Sequence, residues 1–240
     1  MQTGKKDIFY GWYVVGACFI IAFVVFGISV NTFTVYLKPI QDDLGWSRGK
    51  IALGVTLAAL VMGASAPFIG RLIDRAGARL VMTAGGAALG VISILLSQSR
   101  SLPYFLGLYA VSGIAQAAAT LIPISLVISH WFTARRGMAL GIVMTGTGLG
   151  AMVMVPVTSW IVVNWGWRVS YLVMGCIILG ISVPINLIFI RTRPSEKGLV
   201  ADGGLIADAP PAVISGLSVA EALRSGTFRL IGVMMLIFGL

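Results

Sequence analysis

Charge is scarce in this chain. Only 10% of its 240 residues are Asp, Glu, Lys or Arg, and 58% are hydrophobic. With a mean hydropathy of +0.98, the polar surface is too small to cover a soluble globule of this length. Histidine occurs once, at His130, and cysteine twice, at Cys18 and Cys176, each cysteine inside an apolar run and without Cys-x-x-Cys spacing. The two read as small core residues, which disfavours a disulfide framework or a metal site, and no cofactor is expected. An enzyme would need a nucleophile, base or metal cluster within the fold, and a lone histidine in a turn does not supply one. A channel would need a charged ring or a filter loop, and neither is visible. The net charge of +9 would suit nucleic acid. The bases, however, stand singly or in pairs at the ends of apolar runs and form no stripe, so no nucleic-acid partner is expected.

Long uncharged runs take the place of charge. Residues 51 to 70 and 80 to 99 carry no ionisable side chain, and at about 1.5 Å per residue each makes a helix of roughly 30 Å, the thickness of a bilayer's hydrocarbon core. The charged turn between them, Gly70-Arg-Leu-Ile-Asp-Arg-Ala-Gly-Ala-Arg79, therefore caps a membrane hairpin. In it Gly70 clears space where two helices converge, Asp74 is one acid among Arg71, Arg75 and Arg79, and Gly77 permits a turn closed to other residues.

The other spans follow in order. A run over residues 8 to 37, too long for a secretory signal, predicts the first transmembrane helix, broken at Lys38-Pro39 and turned by Asp42-Asp43-Leu44-Gly45; Ser47 is a candidate N-cap for the second. The fourth covers about 102 to 129 with an interruption at Pro123, the fifth 137 to 163 and the sixth 169 to 190. This expectation is an all-α membrane fold with an amino-terminal six-helix bundle over residues 1–190. A basic, proline-bearing linker occupies 191–229, with a capping-box pattern at Ser218-Val-Ala-Glu221, and a truncated seventh helix begins at 230–240. With the N-terminus on the cytoplasmic side, only Lys38, Arg48, Lys50, Arg100 and Arg168 of the seventeen bases fall outside. That satisfies the positive-inside rule for a multi-pass protein of an inner or plasma membrane. All charges then lie in loops or at helix ends.

A shift of 89 residues superposes Pro67 on Pro156, Gly77 on Gly166, Arg79 on Arg168 and Asn31 on Thr120. It maps a turn on one side of the membrane onto a turn on the other, which is what two inverted three-helix repeats require. Polar side chains in membrane helices face a partner or a water-filled cavity. Asn31 on helix 1 and Tyr109, Gln116 and Thr120 on one face of helix 4 are therefore candidates to line a solute cavity. Thr145 and Thr147 on helix 5 are weaker ones, since threonine can return its hydroxyl to the backbone.

The pattern of residues 70 to 79, G-x-L-x-D-R-x-G-x-R, resembles the signature loop between helices 2 and 3 of the major facilitator superfamily of transporters. Three further stretches resemble its oxalate/formate antiporter and monocarboxylate transporter branch: Trp131-Phe-Thr-Ala-Arg-Arg-Gly-Met-Ala-Leu-Gly141, Gly166-Trp-Arg-Val-Ser-Tyr171 and Arg193-Pro-Ser-Glu-Lys-Gly-Leu199. The resemblance covers residues 9 to 199. It implies the amino-terminal half of a twelve-helix fold, with a missing carboxy-terminal half and membrane lipid as partners. It also implies secondary transport of a small organic solute, an organic anion such as a carboxylate, by alternating access; a non-transporting sensor or assembly subunit is the alternative. Gly70, Asp74, Arg75, Gly77, Arg79, Arg135 and Arg136 become a conformational latch, with Asp74 expected near the arginines or at a helix N-terminus of the other bundle. Two departures narrow the reading. The glycine run of helix 5 lacks the Gly-Pro pair of drug/proton antiporters, and Asn31 stands where animal monocarboxylate transporters carry a membrane lysine. A cation for the solute would then come from the missing half.

Overall fold

A computed structural model describes residues 9–202 and 225–226. The capping-box segment at 218–221, most of the linker and the stretch from 230 onward lie outside the described residues. Within them the chain is helical, apart from one isolated bridge between Phe132 and Asp202. Five helices are long and apolar enough to cross a membrane: Tyr10–Leu44, Arg48–Ala76, Ala78–Leu96, Leu102–Trp131 and Arg136–Phe189.

The first of these is not continuous. Helix α1 (Tyr10–Ile21) runs through a π-helical turn at Ala22–Phe26 into the short α2 (Gly27–Ser29), and α3 (Phe33–Leu44) begins after a gap. Side chains bond carbonyls beside the irregular winding: Asn31 Nδ2 donates to Phe26 O at 3.2 Å, which Val30 N also reaches, and Thr32 Oγ1 to Ile28 O at 2.6 Å. In an apolar medium such side-chain bonds make a broken helix tolerable. The expected stop at Lys38-Pro39 is corrected here. Proline removes one hydrogen bond, and the helix continues to Leu44, where Gly45 at φ 67° ends it in the left-handed region.

Helix α4 (Arg48–Ala76) starts where Ser47 Oγ accepts from Lys50 N at 3.4 Å, the N-cap read from the sequence. It meets α5 (Ala78–Leu96) at Gly77, whose φ of 83° and ψ of 150° are open to glycine alone. A second correction concerns the fourth span. Its interruption falls at Thr120, between α6 (Leu102–Ala119) and α7 (Leu121–Trp131), and Pro123 sits in the first turn of α7, where its missing N–H costs nothing. Helix α8 (Arg136–Phe189) has 54 residues, interrupted by non-helical backbone at Gly166 (φ 83°, ψ 164°).

Helix α4 packs on α6, α5 on α6 and α8, and α1 on α8. Lipid tails are as apolar as the side chains, so these contacts depend on close fit rather than on escape from water. Gly27 and Gly150 illustrate the fit: a Cβ on Gly27 would lie 2.8 Å from the Gly150 carbonyl carbon. Cys18 is buried as expected, whereas Cys176 is exposed, so only one of the two is a core residue. Large apolar side chains also stand exposed on α4 and on the first half of α8, among them Leu60, Phe68, Met152 and Val163.

Candidate functional site

Two cavities share one polar partition. The first lies between the first, second and fourth spans and is lined by Phe26, Ser29, Val30, Val55, Ala58, Ala59, Met62, Tyr109, Gln116 and Thr120. The second lies between the first span, α5, α6 and the second half of α8. Ser29, Tyr109 and Gln116 line both. Among the described residues no charged side chain lines either cavity, and the polar contacts they offer are hydroxyls and an amide set among aromatic and aliphatic side chains.

The partition is built by helical periodicity on α6. Tyr109, Ser112, Gln116 and Thr120 recur at three- and four-residue steps, and all four are buried. Thr120 Oγ1 donates to Gln116 O at 2.6 Å, beside the backbone bond that the same carbonyl accepts from Thr120 N at 3.0 Å. Gln116 Nε2 donates to Ser112 Oγ at 3.3 Å and Ser112 Oγ to Tyr109 O at 2.7 Å. The side chain of Gln116 is thereby held at its amide nitrogen, while its Oε1 has no bond among the described residues.

Behind this wall sits a tyrosine cluster that sequence reading missed. Tyr109 and Tyr171 join hydroxyls at 2.7 Å, and the rings of Tyr36 and Tyr171 stack with centroids 4.0 Å apart and planes 13° off parallel. Tyr36 OH bonds Ser170 Oγ at 3.0 Å. Each phenol buries its ring and finds a partner for its hydroxyl, as an apolar interior demands. The sequence put Tyr109 on the polar face of the fourth span and Tyr171 at the end of the 166–171 stretch, but nothing in it joined either of them to Tyr36.

Of the cavity candidates, Tyr109, Gln116 and Thr120 come together on one wall. Asn31 is half-buried at the break in the first span and bonded to Phe26 O; it is absent from the lining, where its neighbours Val30 and Thr32 appear instead. Thr145 is exposed and Thr147 half-buried, and each returns its hydroxyl to the carbonyl three residues earlier, at 2.7 Å. They line neither cavity.

The latch candidates spread around one end of the bundle. Asp74, Arg75 and Gly77 line a polar cleft with His130, Thr192, Arg193 and Glu196. Among the described residues Asp74 forms no ion pair within 4.0 Å, and Arg79 Nε is buried without a hydrogen-bond partner. Arg135 Nε stands 3.9 Å from Asp202 Oδ2, Arg136 opens α8 exposed, and a Cβ at Gly70 would meet open space. At the opposite end the chain is tied more tightly. Asp43 accepts from the Arg168 guanidinium and from Trp167 Nε1 at 3.1 Å, Arg168 also donates to Ser99 O at 3.3 Å, and its guanidinium lies 4.2 Å from the Trp167 ring centroid.

Apolar spans of this length, enclosing uncharged polar cavities, define a multi-pass membrane protein. The chain belongs to the major facilitator superfamily, whose family model matches residues 17–240. It is thus a member of a transporter family. It is 26% identical over 199 residues to the oxalate:formate antiporter of Oxalobacter formigenes, covering 82% of this chain and 47% of that protein. It is 30% identical over 220 residues to monocarboxylate transporter 2 of Mesocricetus auratus, covering 90% and 44%. An uncharacterized MFS-type transporter of Bacillus subtilis, YcxA, is 25% identical over 168 residues, covering 70% and 41%. The chain thus spans less than half the length of each of these relatives.

Proposed function

We propose that this chain forms the amino-terminal wall of a secondary transporter for a small organic carboxylate, working by alternating access. The observation that carries the proposal is the uncharged polar wall of Tyr109, Gln116 and Thr120 within an otherwise apolar bundle. Such groups orient a solute by hydrogen bonds, and an anion in a low-dielectric site also needs a cation. With no cation on this wall, the charge of the solute is met by a carboxy-terminal half, which packs against the exposed faces of α4 and of the first half of α8. The carboxylate class follows from the relatives named above.

Six membrane spans in two inverted triplets complete the reading. Gly166 divides a helix whose 54 residues would reach about 80 Å, more than two bilayer cores. Gly77 and Gly166, superposed by the 89-residue shift, share φ 83° and are each followed two residues later by an arginine. This agreement in backbone conformation supports the repeat independently of residue identity. In this reading the N-terminus and the 70–79 turn are cytoplasmic, and the Asp43–Arg168 end faces outward.

The test is uptake of radiolabelled oxalate, formate and larger monocarboxylates by liposomes containing the full-length transporter. Losing one hydrogen bond to a charged group, worth about 1.5 kcal/mol, should lower apparent affinity roughly ten-fold in Gln116→Leu and in Tyr109→Phe. Unaltered uptake by both variants would remove the wall from the solute path. A wild-type protein that inserts but moves none of these solutes would overturn the carboxylate reading.

A further inference from the structure

The segment that leaves the sixth span does not run off as a free linker. Ile190 and Pro194 are buried, and residues 194 to 197 wind into a short 3-10 turn closed by Gly198 at φ 64°. From this segment a series of bonds reaches two separate turns. Thr192 Oγ1 accepts from Ala78 N at 2.9 Å, satisfying one of the N–H groups that a helix start leaves open, at the first residue of α5. The carbonyl of the same residue accepts from His130 Nδ1 at 3.1 Å, and Arg191 O accepts from Trp131 Nε1 at 2.8 Å. Ten residues on, Asp202 N donates to Trp131 O at 3.0 Å, while Asp202 O accepts from Thr133 N at 3.1 Å and Ala134 N at 3.2 Å. The indole of Trp131 and the ring of Phe132 are fully buried beneath.

These bonds bridge a gap. The cleft between the Gly77 turn and the end of α7 is lined by Asp74, Arg75 and Gly77 on one side, Leu126 and His130 on another, and Thr192, Arg193 and Glu196 from the crossing segment. The segment therefore holds together two turns with open space between them. Its contacts are mainly to backbone, so the role does not depend on the charge of any one side chain.

We propose that residues 190–202 are a cytoplasmic strap, with Thr192 and Asp202 as positioning residues that make the signature turn and the turn after α7 move as one body. The strap stands on its contacts alone; its consequence for transport rests on the alternating-access reading above. With the strap fastened, the end of the bundle rocks as a unit. Unfastened, motion at the signature turn is no longer passed to α7 and α8, and the conformational step slows while the solute wall, which the strap does not touch, is unchanged.

Hydrogen exchange on the purified full chain, read by mass spectrometry, tests the strap without any solute. Thr192→Val keeps the shape and removes the acceptor; exchange at Ala78 should rise about five-fold, the effect of losing one ordinary hydrogen bond, with Thr133 and Ala134 unaltered. Asp202→Pro removes the N–H bonded to Trp131 O, and exchange at Thr133 and Ala134 should rise by a similar factor. If neither substitution alters exchange at its paired amides, the strap does not exist in solution. The functional arm is formate counterflow in liposomes, where both variants should lower the maximal rate about five-fold at an unaltered half-saturating concentration. Faster exchange with wild-type rates would make the segment structural only and overturn its role in transport. Because the exchange arm needs no substrate, it judges the strap even where the carboxylate reading fails.

Discussion

The turn at Gly77 and the turn at Gly166 are built on the same backbone, with φ 83° in both and ψ of 150° and 164°. They are closed in different ways. After Gly166, Arg168 reaches an acid on another span, Asp43, and stacks on Trp167, its neighbour in sequence. After Gly77, the corresponding Arg79 leaves its Nε without a partner among the described residues, and the closure comes from Thr192 in the strap. Glycine geometry is thus shared by the two turns, while the element that fastens each is specific to its end of the bundle. The difference suits a transporter. A turn closed by a charge pair within the bundle is a fixed hinge, and one closed by a removable segment beside an unspent arginine valence can change partners.

The strongest break in this comparison is Gly77→Ala set against Gly166→Ala. Both place a Cβ on a backbone that costs an ordinary residue about 1–3 kcal/mol. Only at Gly77 would the new atom also meet a neighbour, Thr192 Oγ1 at 3.0 Å, whereas the space at Gly166 is open. Thermal unfolding in detergent should show both variants destabilised and Gly77→Ala the more so. Equal losses would mean that Thr192 does not press on the turn.

A smaller effect is expected from the arginines. The Asp43 and Arg168 side chains are 44% and 39% exposed, so their pairing is worth no more than about 1 kcal/mol after solvent screening. Arg168→Gln should lose up to that amount, and Arg79→Gln less than half of it, because no paired acid is left behind. Unfolding midpoints in low salt and in about 1 M salt check this, since screening should shrink the deficit of Arg168→Gln. A larger loss at Arg79 would reveal a partner for it. Smallest of all is Asp43→Asn. It keeps an oxygen for the Trp167 indole and gives up only the charge, so stability should fall by about a few tenths of a kcal/mol.

Much of the fold was legible before any coordinate. Uncharged run lengths marked helices able to cross a membrane, and Ser47, Gly77 and Gly166 marked starts and turns, because a hydroxyl cap and a positive φ are local requirements that a residue type meets by itself. The misplacements share a cause. Pro39 and Pro123 are read from sequence as breaks, yet proline only forgoes a bond, and the breaks fall instead at residues 30–32 and at Thr120, where threonine hydroxyls bond the carbonyls four residues back. The polar face of α6 was likewise legible from its spacing, whereas Asn31 has its amide nitrogen bonded to a carbonyl five residues back, a local bond that composition does not reveal.

What the sequence by itself determined is the membrane class, the family and the two glycine turns, all properties of a residue and its near neighbours. The tertiary structure decided which polar groups meet. Tyr36 finds Ser170 across 134 residues, Tyr109 finds Tyr171 across 62, and Thr192 caps a helix that began 114 residues earlier. A hydroxyl bonds at under about 3 Å and in a narrow range of angles. Its partner is therefore set by how each helix is rotated and how closely its small residues let the next one approach, and these emerge only when all the spans pack together.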